Sequence, residues 1–252
     1  MTTSLWKRLR GEEHVRRLTS TPWRVVEAQH VISTRKLVDS DEEQRVLEEL
    51  LEQSKPPTPK PAARLHYLLS TSFRYPPLRH GSRFGTRQER GIWYGAETLV
   101  TAFAEVAYYR LVLLEGTQAK LEPLMVELSA FRASVKARHG VDLTRPPFLE
   151  HAPRISSRSS YAISQRLGRD MRSAGVQAFR YVSSRDPDGG ACLAVMDPGA
   201  FSSPSPSQLS SWLCVATKER VEVSDRGFFE RRAFAFERSR FVVRGELPTP
   251  AV

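Results

Sequence analysis

The sequence predicts an α+β fold with mixed, mostly antiparallel sheets and interspersed helices. Three observations lead to this prediction: strand-like segments outnumber helical ones, the helices fall between them irregularly, and no βαβ alternation is present. The chain has 252 residues, of which 40% are apolar and 26% are charged. These are values at which a chain can bury a substantial core.

The first 64 residues are predicted to form a helical extension that ends in a proline-rich linker. Ser40 and Glu43 make a capping box ahead of a short apolar face. The segment from Lys55 to Pro61 (KPPTPKP) holds four prolines in seven residues, which is typical of a semi-rigid linker. We therefore place a domain boundary after residue 64, and assign residues 65–252 to one larger domain.

The first half of the larger domain mixes buried strands with one amphipathic helix. In chain order we predict a strand at Leu65–Tyr75, an arginine-rich loop at Pro76–Arg90, a strand at Ile92–Ala96, a helix at Thr98–Glu115 and a strand at Leu121–Leu128. The helix has apolar residues at the helical period and a glycine at its end. The last strand alternates apolar and polar residues.

The second half contains one further helix and several strands. Residues 132–160 are basic and contain prolines, so we predict an irregular surface loop. The elements that follow are a helix at Tyr161–Ala174 capped by Ser160, strands at Val176–Val182 and Ala191–Met196, a serine-rich loop at Ser202–Ser211, and a closing hairpin-like pair at Trp212–Val223 and Arg231–Val243.

The net charge is unevenly distributed along the chain. The 38 basic and 28 acidic residues give +10, and residues 132–185 alone carry 11 basic and 3 acidic residues. An excess of this kind indicates nucleic acid, an anionic surface or an acidic partner, and the alternative is a solvated basic face.

Several classes of protein are not favoured by the sequence. No apolar run approaches the length of a membrane span, and the N-terminus lacks a secretory signal, so we expect a cytoplasmic protein. The two cysteines cannot make a disulfide framework, and no Cys/His spacing indicates zinc. No glycine-rich dinucleotide motif or Walker A loop is present.

Two arginines near glycines form the first candidate site. Arg74 lies at the end of a predicted strand, and Arg83 lies between Gly81 and Gly85. Glycines allow close backbone approach to a ligand, and arginine offers paired donors to phosphate. The alternative is a strand arginine paired with a carboxylate, with turn glycines beside it.

The second and third candidate sites are centred on Glu105 and Ser183. Glu105 has apolar neighbours on both sides within the predicted helix, an environment that requires a partner or a function, although a solvated glutamate is the alternative. Tyr94 lies in the predicted strand before this helix, and it is either a ligand-stacking residue or a core residue. Ser183 stands at a strand-to-turn junction, where its hydroxyl can contact a sugar or an amide, or simply serve the turn.

The order of these residues carries a resemblance to a known family. The segments FRYPPLRHGSRF, GIWYGAETLVTAFAEVAYYR and FRYVSSRDPDGGACLAVMDP resemble the characteristic blocks of the RES domain, named for its Arg, Glu and Ser residues. The resemblance extends from Leu65 to Phe201. Many members carry a proline before the serine, where this chain has Val182. Of two adjacent serines we assign Ser183 to the family position.

The resemblance implies a fold similar to ADP-ribosyltransferases and a bacterial toxin of a toxin–antitoxin pair. It implies NAD as substrate, consumed by glycohydrolysis or by phosphorolysis with inorganic phosphate, so that depletion of NAD arrests growth. It also implies a cognate Xre-like antitoxin, which would provide any nucleic-acid binding. We expect no metal, because the positive charge of the nicotinamide group already activates it for leaving, and no membrane.

The chemistry of breaking the nicotinamide–ribose bond gives each candidate residue a role. Glu105 would stabilise positive charge on the ribose or fix its hydroxyls, and Arg83 with Arg74 would hold the pyrophosphate. Tyr94 would stack on nicotinamide, and Ser183 would bind ribose or carboxamide. Two alternatives remain: a protein ADP-ribosyltransferase on the same scaffold, and a non-enzymatic nucleic-acid-binding module that uses Arg132–Arg185.

Overall fold

A mostly antiparallel sheet organises the chain. The computed structural model describes residues 3–28, 37–75, 77, 79–227 and 232–249, so Pro76, Leu78 and Arg231 of the predicted loop and last strand lie outside the described residues. Within the described ranges the strands are β1 (Arg16–Ser20), β2 (Trp23–Glu27), β3 (Trp93–Ala96), β4 (Leu124–Arg132), β5 (Val135–Asp142), β6 (Ala178–Val182), β7 (Ala191–Val195), β8 (Ser207–Ala216), β9 (Arg220–Asp225) and β10 (Ala233–Glu237).

Helices cover both faces of this sheet. They are α1 (Leu5–Arg8), α2 (Asp41–Ser54), α3 (Tyr67–Arg74), α4 (Leu99–Glu115), α5 (Ala152–Ile155) and α6 (Ala162–Ser173), with single 3₁₀ turns at Gly11–His14, Lys60–Ala62, Leu149–His151, Pro198–Ala200 and Arg238–Arg240. Among the described helices, none is long and apolar enough to cross a membrane.

The strand order is β1-β5-β6-β7-β3-β2-β4-β8-β9-β10. Within the described strands only β5 and β6 pair in parallel. Strands and helices thus mix without a βαβ repeat, and the predicted α+β class is confirmed.

The sheet narrows at its centre, between β3 and β2. These two strands share a single register pair, Trp23 with Ala96, whereas β4 and β8 pair from Leu124 to Arg132. Helix α4 crosses this narrow junction, because it contacts both β2 and β3 as well as β8, β9 and β10. Residues on α4 are therefore placed where the two halves of the sheet meet.

Apolar residues pack on both faces of the sheet. Helix α4 buries Phe103 and Leu111 against Trp212 of β8 and Phe236 of β10. On the same face, α1 and α6 cover the β5–β6–β7 half through a second cluster that includes Phe179. The opposite face is covered by α3 and the turns near residues 62 and 200.

The prediction of a helical extension is wrong for residues 16–27. They form β1 and β2, and β2 lies inside the sheet between β3 and β4. The sheet therefore takes strands from both sides of residue 64. The predicted helix with its capping box is confirmed in α2, where the Glu43 N–H donates to Ser40 Oγ at 3.1 Å.

The strand predicted at Leu65–Tyr75 is wrong, because this segment forms helix α3. Leu69 and Phe73 are buried, and their spacing of four residues places them on one helical face. Short apolar runs fit a buried strand and a buried helix equally well, so the pattern alone did not distinguish them.

Two segments predicted as irregular also contain strands. Val135–Asp142 is β5, in which Val135 and Ala137 face inward while charged residues alternate with them. The loop predicted at Ser202–Ser211 is partly wrong, because β8 already begins at Ser207. The helix beginning after Thr98 and the strands near Trp93, Ala178 and Ala191 are confirmed.

Candidate active site

Glu105 projects from the middle of α4 toward the ends of β6 and β7. The helix begins after Thr98, whose side chain accepts a hydrogen bond from the Thr101 N–H at 3.2 Å. Glu105 is half-buried, and its Oε1 accepts a hydrogen bond from Ser183 Oγ at 2.6 Å. Cys192 Sγ lies 3.7 Å from the same oxygen, and burial raises the pKa of this thiol well above its ordinary value. The thiol therefore stays neutral beside the carboxylate.

The Ser183 hydroxyl is fixed by the turn that follows β6. Its oxygen accepts hydrogen bonds from the backbone N–H groups of Arg185 at 3.1 Å and Asp186 at 3.0 Å. The Ser183 N–H donates to the Gly190 carbonyl at 2.7 Å, which closes the turn. Because the oxygen is occupied as an acceptor, its single proton is directed to Glu105. Ser183 thus orients the carboxylate.

Arg83 is buried beside the same turn. One terminal nitrogen donates to the Ser157 carbonyl at 2.9 Å, and the other donates to Ser184 Oγ. The guanidinium also lies over the ring of Tyr161, 4.8 Å from its centroid. Two adjacent serines therefore hold the two charged side chains: Ser183 contacts Glu105, and Ser184 contacts Arg83.

A short turn presents Arg83, and α6 packs directly against it. The Ser82 N–H donates to the Gly85 carbonyl at 2.7 Å, and Gly81 takes a φ of +71° at the entrance to the turn. A Cβ at Gly168 of α6 would overlap the carbonyl oxygen of Phe84. The absence of a side chain at Gly168 lets the helix support the turn from behind.

Tyr94 of β3 anchors the Arg83 turn by its hydroxyl. Its oxygen lies 2.9 Å from Ser82 Oγ and accepts a hydrogen bond from the Phe84 N–H at 3.2 Å. Burial raises the pKa of Tyr94 to about 12, so the hydroxyl remains protonated at neutral pH. The sequence predicted that Tyr94 stacks on a ligand, and the structure places its hydroxyl on the turn.

Replacing Tyr94 by phenylalanine is expected to lower the free energy of unfolding by about 1–3 kcal/mol, because the Phe84 N–H loses its acceptor. Urea unfolding measures the change. Tyr67→Phe is the matched control, since Tyr67 is 51% exposed, and its stability should stay unchanged. Equal unfolding midpoints for Tyr94→Phe and the wild type would contradict this role.

Arg74 lies apart from the other candidates. It ends α3, where it forms an ion pair with Glu52 Oε1 at 2.7 Å and donates to the Pro56 carbonyl at 2.5 Å. In the described part of the chain it has no hydrogen bond or ion pair with Arg83, Tyr94 or another candidate residue. The structure thus brings together Glu105, Ser183, Arg83 and Tyr94, and it ties Arg74 to the segment before α3.

Arg185 belongs to this group, although the sequence did not single it out. It is 2% exposed, and its guanidinium carbon lies 3.5 Å from the centroid of the Tyr108 ring. Neither terminal nitrogen has a hydrogen-bond partner in the described structure. Its position two residues after Ser183 was the available signal, but its burial depends on α4, which is remote in the sequence.

The charged residues of this group form no ion pair with one another in the described structure. Glu105 forms no ion pair within the described residues, and neither do Arg83 and Arg185. The described ranges also hold no group of three or more His, Cys, Asp or Glu residues that could bind a metal ion. The arrangement joins a fixed carboxylate and two buried arginines to one turn, which suits a ligand carrying both charges.

Three comparisons relate the chain to known proteins, and the family comparison agrees with the predicted resemblance. No curated protein matches the chain. A solved chain from the "Crystal structure of the M.tuberculosis MbcT-MbcA toxin-antitoxin complex" is similar at 15% identity, with a TM-score of 0.46, over 84% of this chain and 91% of that one. A family model described as the RES domain matches residues 58–216, which is more than half of the chain. The chain therefore belongs to the RES domain family.

Proposed function

We propose that this protein is a toxin-type enzyme that cleaves the bond between nicotinamide and ribose in NAD. The observation that carries the proposal is the way in which the Glu105 carboxylate is held. One of its carboxylate oxygens is fixed by Ser183, and the side chain forms no ion pair with any described residue. Such a carboxylate is oriented and keeps its charge available for a cationic ligand. Membership of the RES domain family supports a toxin that acts on NAD.

The reaction needs a negative charge beside the ribose. As the bond breaks, its electron pair moves to the nicotinamide nitrogen, which becomes neutral, and positive charge develops on the ribose. Glu105 would stabilise this oxocarbenium-like charge and fix a ribose hydroxyl. Water or inorganic phosphate then bonds to the ribose carbon; with water, one proton is released to solvent.

Arg83 would hold the pyrophosphate half of NAD. Its guanidinium is fixed on three sides by the Ser157 carbonyl, Ser184 Oγ and the Tyr161 ring. A guanidinium held in this way loses little freedom when it binds an anion. Ser183 acts through Glu105, and Tyr94 acts through the turn that carries Arg83.

Release of nicotinamide from NAD by the purified, folded chain tests the proposal. Nicotinamide is measured by chromatography with and without inorganic phosphate. Free ADP-ribose identifies hydrolysis, and its 1″-phosphate identifies phosphorolysis. Label on a protein band from adenylate-labelled NAD identifies protein ADP-ribosylation. Absence of nicotinamide release in both conditions, with folding verified by circular dichroism and no antitoxin present, would refute NAD cleavage.

The antitoxin forms part of the same proposal. An Xre-like partner that covers the NAD site would stop nicotinamide release when it is added in equimolar amount. Any nucleic-acid binding would come from that partner.

The surroundings of two arginines in the basic segment 132–185 favour this interpretation over a nucleic-acid-binding module. Arg180 forms ion pairs with Glu97 at 2.8 Å and Asp142 at 2.9 Å, and Arg185 is buried. A groove of about 360 Å³ at the β1–β5 edge is lined by Arg16, Arg17, Arg145 and Arg180 together with Asp142, and it includes none of the candidate site residues. Two of the eleven basic residues in 132–185, Arg180 and Arg185, are therefore neutralised or enclosed within the protein.

A further inference from the structure

The β1 end of the sheet carries an open basic groove. Its volume is about 360 Å³, and among the described residues four arginines line it against one carboxylate, that of Asp142. That carboxylate is already occupied, because it pairs with Arg180 at 2.9 Å and with Arg145 at 3.4 Å and accepts two hydrogen bonds from Thr144. The groove therefore keeps an excess of positive charge.

Arg16 and Arg17 supply the part of this charge that stays free. Both residues are exposed, and neither forms an ion pair within the described ranges. Arg180, by contrast, is shared between Asp142 and Glu97. Adjacent unpaired guanidinium groups beside a groove suit carboxylates, which they bind through paired donors.

The strand that carries these two arginines is also an edge of the sheet. β1 stands first in the strand order, and among the described strands it pairs only with β5. One side of its backbone can therefore accept a further strand, over a length of about 17 Å. Four of its five residues line the groove, so the free edge and the basic groove are one surface.

Packing holds this surface in place. Gly140 of β5 stands opposite Arg16 in the register, and a Cβ at this position would overlap Leu18 Cβ. β1 approaches β5 so closely because Gly140 has no side chain. Phe148, which also lines the groove, is buried and stacks on the ring of Trp6. The walls of the groove thus belong to the packed part of the fold.

We propose that the β1 edge and its groove bind an extended acidic segment of a partner protein, which adds to β1 as a further strand. The backbone of the segment pairs with the free side of β1, and its carboxylates contact Arg16 and Arg17. A nucleic acid matches only the charges, because it has no row of N–H and C=O groups for a strand edge. Neither Glu105 nor Arg83 lines the groove, so the proposal does not depend on NAD cleavage.

Fluorescence anisotropy with a labelled peptide of alternating glutamate and threonine tests the proposal on the full chain. The alternation places the carboxylates on one side of an extended peptide. We expect saturable binding that weakens as salt increases, and a loss of affinity of about tenfold or more in Arg16→Ala/Arg17→Ala. The same peptide methylated on its backbone nitrogens should not bind, because it has no donors for strand pairing.

Arg220→Ala/Arg232→Ala is the matched control. It also removes two positive charges, but at the opposite end of the sheet, where Arg220 pairs with Glu222 and Arg232 with Asp225. Its affinity for the peptide should equal that of the wild type, and urea unfolding verifies that both double variants are folded. Equal losses of affinity in the two double variants would reduce the effect to net charge and overturn the proposal.

Three results with the wild type would also contradict the proposal. Absence of peptide binding would leave the two arginines as charges that keep the edge strands of separate copies from pairing. Equal binding of the methylated peptide would exclude strand addition. Tighter binding of a single-stranded oligonucleotide of the same net charge would assign the groove to nucleic acid.

Nicotinamide release separates this proposal from the proposed function. The rate in Arg16→Ala/Arg17→Ala should equal that of the wild type, since neither arginine belongs to the Glu105 site. If the wild type binds the acidic peptide but releases no nicotinamide, NAD cleavage fails while the docking surface stands. If it releases nicotinamide but does not bind the peptide, the docking surface fails while NAD cleavage stands.

Discussion

Replacing Glu105 by glutamine is expected to slow nicotinamide release about 10²–10³-fold, mainly through kcat. Glutamine keeps the shape of the side chain and can still accept the hydrogen bond from Ser183 through its carbonyl oxygen. It loses the negative charge that would stabilise the ribose cation as the bond to nicotinamide breaks. Steady-state kinetics with NAD measure the effect, and urea unfolding verifies that the variant is folded.

Glu115→Gln is the matched control for this substitution. Glu115 lies on the same helix and forms an ion pair with Arg238 at the surface. A surface pair contributes at most about 1 kcal/mol to stability, so nicotinamide release should be unchanged in this variant. A kcat in Glu105→Gln equal to that of Glu115→Gln would show that the reaction does not use the Glu105 charge.

Replacing Phe103 by alanine is expected to lower the free energy of unfolding by about 3–5 kcal/mol. Phe103 is fully buried and packs against Trp212 and Phe234, with ring centroids at 4.8 Å and 5.3 Å. The loss is a large part of the roughly 5–15 kcal/mol that stabilises a typical domain. Urea unfolding measures it.

Val100→Ala on the same helix is the control for Phe103→Ala. Val100 is 40% exposed, so the loss of its methyl groups leaves no enclosed cavity, and the change should remain below about 1 kcal/mol. Equal losses in the two variants would mean that the α4 core does not hold the helix on the sheet. The Phe103 contacts matter for the site because α4 carries Glu105 two residues further on.

The sequence predicted the elements whose signals are local. Helix α4 was predictable because its apolar residues recur at the helical period and a glycine follows its last residue. The resemblance to the RES domain gave Glu105, Arg83 and Ser183 as site residues, and the structure places these three beside one turn. The roles assigned to them remain predictions that the experiments above test.

The errors arose where a residue's environment comes from distant parts of the chain. Residues 16–27 carry too many polar residues to indicate strands, and the pairing of β1 with β5 and of β2 with β3 and β4 places them in the sheet. Arg74 was chosen as an arginine at a strand end followed by a second arginine between glycines, and that pattern could not show its ion pair with Glu52 of α2. Arg185 was missed because its burial requires Tyr108 of α4.

In the turn after β6, three consecutive residues each make one contact. Ser183 donates a hydrogen bond to Glu105, Ser184 accepts one from Arg83, and the Arg185 guanidinium lies on the Tyr108 ring. A point substitution there removes one of these contacts. An insertion or deletion between Val182 and Ser183 would shift all three residues to a neighbour's position and break the three contacts at once. The spacing of these residues from the end of β6 is therefore as strictly constrained as their identity, and length variation in this family should be tolerated elsewhere on the surface.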